Sequence, residues 1–89
     1  MPRVSAFYGI VIRMYYDESI HPGRPHFHAE FAGTKASYDI RTLEPIAGRL
    51  HPRANRLVVE WGRIHQSELQ RNWQLVRARQ PPKSIDPLR

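Results

Sequence analysis

The sequence predicts an α+β fold: a small, mainly antiparallel sheet of three or four strands, packed on one face by a long C-terminal helix. Three observations carry that prediction. Between Phe7 and Ile40 apolar and polar residues alternate in short runs separated by Gly and Pro, the period-two signature of half-buried strands. From Arg53 to Arg79 apolar residues recur instead at helical spacing. The chain has 89 residues, enough for one modest core in which about 60 to 65% of the extended-chain surface is buried. Residues 1–89 are therefore read as a single domain, with 80–89 a tail packed on the body.

Each element follows in order. Met1 to Ala6 lead into a first strand over Phe7–Asp17, where Ile10, Ile12, Met14 and Tyr16 point one way and Val11, Arg13, Tyr15 and Asp17 the other. Gly9 inside it reads as a bulge or a close backbone approach. Glu18 to Pro25 is a loop around the turn pair Pro22-Gly23. In the next strand Phe27, Ala29 and Phe31 face the core, and His26, His28 and Glu30 the opposite side. Ala32-Gly33 closes a hairpin. Thr34 to Ile40 returns with Ala36, Tyr38 and Ile40 inward. Arg41 to Pro45 turns, and Ile46 to Leu50 offers a short fourth strand.

Pro52 suits the first turn of the helix, where its missing N–H is not needed. Ala54, Leu57, Val58, Trp61, Ile64, Leu69 and Val76 then share one broad side. Gly62 weakens the helix by about 1 kcal/mol relative to Ala at an exposed position, and Ser67 offers a cap for a second helix. One continuous rod is preferred, because the apolar arc keeps its phase across that junction. Pro81-Pro82 ends the element.

Net charge is +6, from 14 Lys+Arg against 8 Asp+Glu, and 12 of the cations are Arg. Such a balance favours nucleic acid or an acidic protein through long-range attraction. The absence of Cys excludes disulfides, thiolate metal sites and cysteine nucleophiles together. The chain opens without a long apolar segment and has no apolar run near 18 residues, so the expected location is cytoplasmic, with no membrane span.

Two constellations carry candidate chemistry. His26 and His28 project to one strand face with Cα atoms about 6 to 7 Å apart, near enough to approach one divalent metal ion. His21 is a third nitrogen, and Glu30 a possible oxygen. No cofactor is expected: a solvated or partner-facing strand surface is the preferred reading of so short a pattern, and a divalent metal the weaker alternative. On the helix, Glu60, His65, Glu68 and Asn72 make a candidate polar network inside or beside the apolar arc. His65 and Glu68 are the catalytic candidates, as an acid/base pair at i,i+3. The two constellations form one site only if the histidine face of the strand meets the helix. Arg interleaved with aromatic rings adds a nucleic-acid or partner-binding set: Arg13, Arg24, His26, His28 and Arg71. Trp73, at the margin of the arc, is free to cover the tail at Ile85 or a second subunit.

Several short motifs together resemble a known family. Phe7-Tyr8-Gly9-Ile10, Ile12-Arg13-Met14-Tyr15, Pro25-His26-Phe27-His28-Ala29, Gly48-Arg49-Leu50, Glu60-Trp61, His65, Glu68-Leu69, Asn72-Trp73 and Ile85-Asp86-Pro87-Leu88 are similar to the small bacterial proteins called domain of unknown function 4160. The resemblance implies a compact single-domain bacterial protein without an established activity. The resemblance also implies a neighbouring small uncharacterised protein, and some relatives are suspected members of toxin–antitoxin-like pairs. The longer approach loop from Ile20 to Pro25 departs from the pattern and weakens His21 as a ligand. The expected function is a small cytoplasmic binding module contacting nucleic acid, a small protein encoded nearby or a second copy of itself. The alternatives are a metal-dependent hydrolase or nuclease using the His/Glu cluster, and a purely structural protein.

Overall fold

A computed structural model describes residues 3–16 and 23–89 of the chain. The class is α+β, but the sheet has five strands, not three or four. They are β1 (Arg3–Phe7), β2 (Ile10–Arg13), β3 (His26–Phe31), β4 (Thr34–Asp39) and β5 (Pro45–Gly48), all antiparallel and in sequence order. The extra strand comes from the first segment. Tyr8-Gly9 is not a bulge but a two-residue turn with φ of 50° and 80°, nearly the values of Ala32-Gly33 at 51° and 80°. Two positive φ angles in succession define the turn whose twist matches a hairpin. Tyr at the first of them hid the signal.

Register places the core. Ile10 pairs with Phe31, Ile12 with Ala29, Ala29 with Ala36 and Phe27 with Tyr38. Because side chains alternate, Ile10, Ile12, Phe27, Ala29, Ala36 and Tyr38 share one face, and all are buried. Trp61 lies over this face, 5.4 Å from the ring of Phe7 and 5.8 Å edge-on from Phe27.

The helical segment is two helices, α1 (Pro52–Ile64) and α2 (Gln66–Arg77), separated at His65 with φ −111° and ψ 23°. This corrects the single rod. Packing on the β4–β5 loop accounts for the junction. Gly62 is buried, not exposed, and an added Cβ there would run into Leu43 Cδ2. Gln66 donates its side-chain amide to the carbonyls of Ile40 and Arg41, each at 2.9 Å. These contacts tie the chain to the loop just where the ladder would have run straight. Both helices still reach the strands, α1 through Trp61 and through Asn55, whose Oδ1 accepts from the Tyr38 hydroxyl at 2.7 Å. Ile64, assigned to the apolar side, is 63% exposed, since α1 ends there and α2 starts on a new bearing.

Helix α2 closes with the paired bonds of a Schellman motif: Arg79 N–H to the Val76 carbonyl at 3.1 Å and Gln80 N–H to that of Leu75 at 2.9 Å, with Arg79 at φ 62°. Pro81 then prevents continuation. The tail lies back on the body. Asn72 exchanges two hydrogen bonds with the backbone of Lys83, at 2.8 and 2.9 Å. Ile85 N–H reaches the Val4 carbonyl at 2.8 Å, and Trp61 Nε1–H donates to that of Asp86 at 2.8 Å. The buried indole N–H is thus satisfied by the tail.

Candidate functional site

The alternation that sends Phe27 and Ala29 to the core sends His28 and Glu30 to the reverse face of the sheet. There the pairing aligns a row across four strands: Arg13 on β2 opposite His28 on β3, His28 opposite Ser37 on β4, and Ser37 opposite Ala47 on β5. Glu30 lies opposite Lys35 one step along. These residues, with Tyr15, Ala36 and Gly48, line an open cleft of about 270 Å³. Gly48 has φ 72° and no room for a Cβ against the Lys35 carbonyl, so β5 approaches β4 closely at the cleft wall.

His28 is fixed on several sides. Its ring stacks on Tyr15 with centroids 4.2 Å apart and planes 2° from parallel, and Nδ1 is 3.2 Å from Ser37 Oγ. His26 meets it edge-on at 5.0 Å. His26 Nδ1 is 2.7 Å from the Arg24 carbonyl, which can only accept, so that nitrogen carries the proton. The pair is not a solvated strand surface: His26 is fully buried and His28 nearly so, at the wall of the cleft. Trp73 covers His26 with centroids 5.1 Å apart and also meets Tyr16 at 5.7 Å. It is therefore a packed residue of the body, in the same buried cluster as Ile85 of the tail.

Most of the interleaved arginines are already engaged. Arg13 Nε donates to Glu30 Oε1 at 3.1 Å inside the cleft. Arg24 Nε donates to Asp39 Oδ2 at 2.8 Å, while Asp39 Oδ1 accepts from the backbone N–H groups of Arg41 (2.6 Å) and Thr42 (3.1 Å). Burial alone would raise the Asp39 pKa, but Arg24 and the two backbone donors outweigh it and hold the carboxyl below its usual value. Arg24 thus stabilises the turn after β4. Arg71 is exposed on α2 beside a small hollow lined with Glu68 and Lys83.

The helix constellation divides into separate parts. His65 Nδ1 donates to Glu68 Oε1 at 2.5 Å, and its ring lies 5.5 Å from Trp61. Glu68 is about half exposed, with 47% of its side chain accessible. Asn72 is buried and spends its amide on Lys83, and Glu60 is exposed on α1. The ring and hydrogen-bond contacts of His26 and His28 lead to Tyr15, Ser37 and Trp73, while those of His65 lead to Glu68 and Trp61. Among the described residues no three His, Cys, Asp or Glu side chains are placed to hold a metal ion. His21 lies outside the described residues. Sequence reasoning alone misses Lys35, Ser37 and the β5 wall; counting register outward from the Ala32-Gly33 turn, which pairs His28 with Ser37, would have found them.

The fold and cleft define a class: a five-stranded antiparallel meander with two consecutive helices, whose outer face presents a polar, ring-lined hollow. Within that class, the chain belongs to the family described as Domain of unknown function (DUF4160), whose model matches residues 9–74. No curated protein and no solved structure matches it. No described helix is long and apolar enough to cross a membrane.

Proposed function

We propose that this chain is a small bacterial, cytoplasmic binding module, one member of a toxin–antitoxin-like pair, which works by engaging a small protein encoded nearby or nucleic acid. The observation that carries the reading is the cleft on the outer sheet face. Its rigid Tyr15–His28 stack is set among Arg13, Glu30 and Lys35, with two cations against one carboxylate. Rings already held in place bind without a further ordering cost, and the cation surplus favours an anionic group on the partner. The net charge of +6 adds attraction at long range. Purification from the source cells, with and without nuclease treatment, tests the reading. A companion retained after nuclease identifies a protein, and one lost with it identifies nucleic acid. Recovery of the chain alone in both preparations, and as a monomer by light scattering, would overturn the proposal.

A second reading, a metal-dependent hydrolase or nuclease, has one observation on its side: the short His65–Glu68 hydrogen bond beside solvent. It expects tag-free protein exposed to zinc, manganese and iron to retain close to one equivalent. Less than about 0.1 equivalent would dismiss the metal version, since a catalytic ion normally has three protein ligands.

A further inference from the structure

The exposed side of α1 carries Arg53, Arg56 and Arg63, at spacings that put all three within a quarter-turn arc of about 80°. Their setting differs from that of Arg13 and Arg24. Arg13 and Arg24 are each held by a carboxylate, whereas Arg53, Arg56 and Arg63 have none within salt-bridge distance among the described residues. Glu60 is the one acid in the arc, leaving this side with a surplus of two positive charges. Arg56 and Arg63 flank a shallow furrow of about 440 Å³. Helix stability accounts for Arg63, which stands in the last turn where the dipole favours a cation, but not for the other two. Arg53 and Arg56 stand near its N-terminal end, with no acidic residue in the first turn, where the helix dipole disfavours cations.

We infer that this face of α1 contacts the phosphate backbone of nucleic acid without reading sequence. Arginine is suited to that task because its planar fork matches phosphate oxygens and it stays charged at any ordinary pH. The arginines span roughly 15 Å along the helix, at 1.5 Å per residue, so they track an extended polyanion rather than one ion. An acidic protein is the less suitable occupant. The only large apolar residue strongly exposed along the helix is Ile64, too little for the desolvated centre of a protein interface. The inference names one partner of the binding module proposed above, but uses a surface separate from the sheet cleft.

The test is fluorescence anisotropy with labelled mixed-sequence duplex DNA and single-stranded RNA, between 50 and 200 mM salt. The triple variant Arg53→Glu/Arg56→Glu/Arg63→Glu is compared with Arg3→Glu/Arg41→Glu/Arg77→Glu, which makes the same change in net charge at exposed positions elsewhere. Circular dichroism establishes that both are folded. The α1 variant is expected to bind at least tenfold more weakly at 50 mM salt. The slope of log K against log salt for duplex should shrink by about 2 to 3, at roughly 0.9 for each phosphate that is no longer neutralised. The control should stay within about threefold of the wild type. Equal weakening in the two variants would overturn the inference, as would absence of binding by the wild type or preference for polyglutamate over both nucleic acids. Tyr15→Ala/Lys35→Glu separates the surfaces: unchanged binding supports α1 as the phosphate-binding face, and weakening there with the α1 variant unaffected assigns the nucleic acid to the cleft instead.

Discussion

His28 and His65 each point Nδ1 at a polar partner, but the partner of His28 is nine residues away on the neighbouring strand and that of His65 three residues away on α2. The first arrangement is assembled by the fold: register supplies Ser37, the chain beyond β2 supplies Tyr15, and α2 buries His26 behind it with Trp73. The second is local, set by helical spacing and half open to water. A group held by tertiary packing is rigid and lies in a hollow another molecule can enter, whereas a local pair forms wherever the helix forms. We propose the binding role at His28 for that reason.

The largest effect expected from testing this contrast is at Trp73. Trp73→Ala removes the ring covering His26 and Tyr16 and should lower stability by about 3 to 5 kcal/mol, seen as a shifted denaturation midpoint. A loss below about 1 kcal/mol would mean that His26 and His28 hold their places without α2. Asp39→Ala comes next, at about 1 to 3 kcal/mol, because it leaves two backbone N–H groups and Arg24 without their acceptor. The same carboxyl gives a pH signature. Its folded pKa is depressed, so the stabilisation is complete above the ordinary carboxylate pKa and is lost as pH falls through the folded value. Melting curves below pH 4 should show this loss in the wild type and less of it in Asp39→Asn.

Tyr38 provides the opposite sign. Burial raises its pKa from 10.0 to about 12, so its contribution is intact below the unfolded value and disappears as pH rises through that interval. Tyr38→Phe should flatten the alkaline limb of the stability curve. The smallest effect is expected at the local pair. Glu68→Gln should cost only about 0 to 1 kcal/mol, as partly exposed ion pairs do. A larger loss would make His65–Glu68 part of the framework and erase the contrast with His28.

How much of this was legible follows the same division between local and long-range structure. The outward placement of His28 and Glu30 was readable, because two-residue periodicity is a property of the strand itself. Ala32-Gly33 was readable as a hairpin for the same reason. Tyr8-Gly9 was not, since Tyr seldom occupies positive φ and the alternation beyond it masked the turn. The division at His65 was hidden too: Gly62 meeting Leu43 and Gln66 reaching the β4–β5 loop are contacts between segments about 20 residues or more apart. Burial of His26 under Trp73 is likewise tertiary, and no local pattern announces it.

The most direct measurement of the central claim is purification from source cells of three proteins in parallel: wild type, Tyr15→Ala/Lys35→Glu and His65→Ala. If the sheet cleft is the engaging surface, the companion retained by the wild type is lost from the first variant and kept by the second. Retention by the cleft variant together with loss from His65→Ala would contradict the account and move the site to the helix junction.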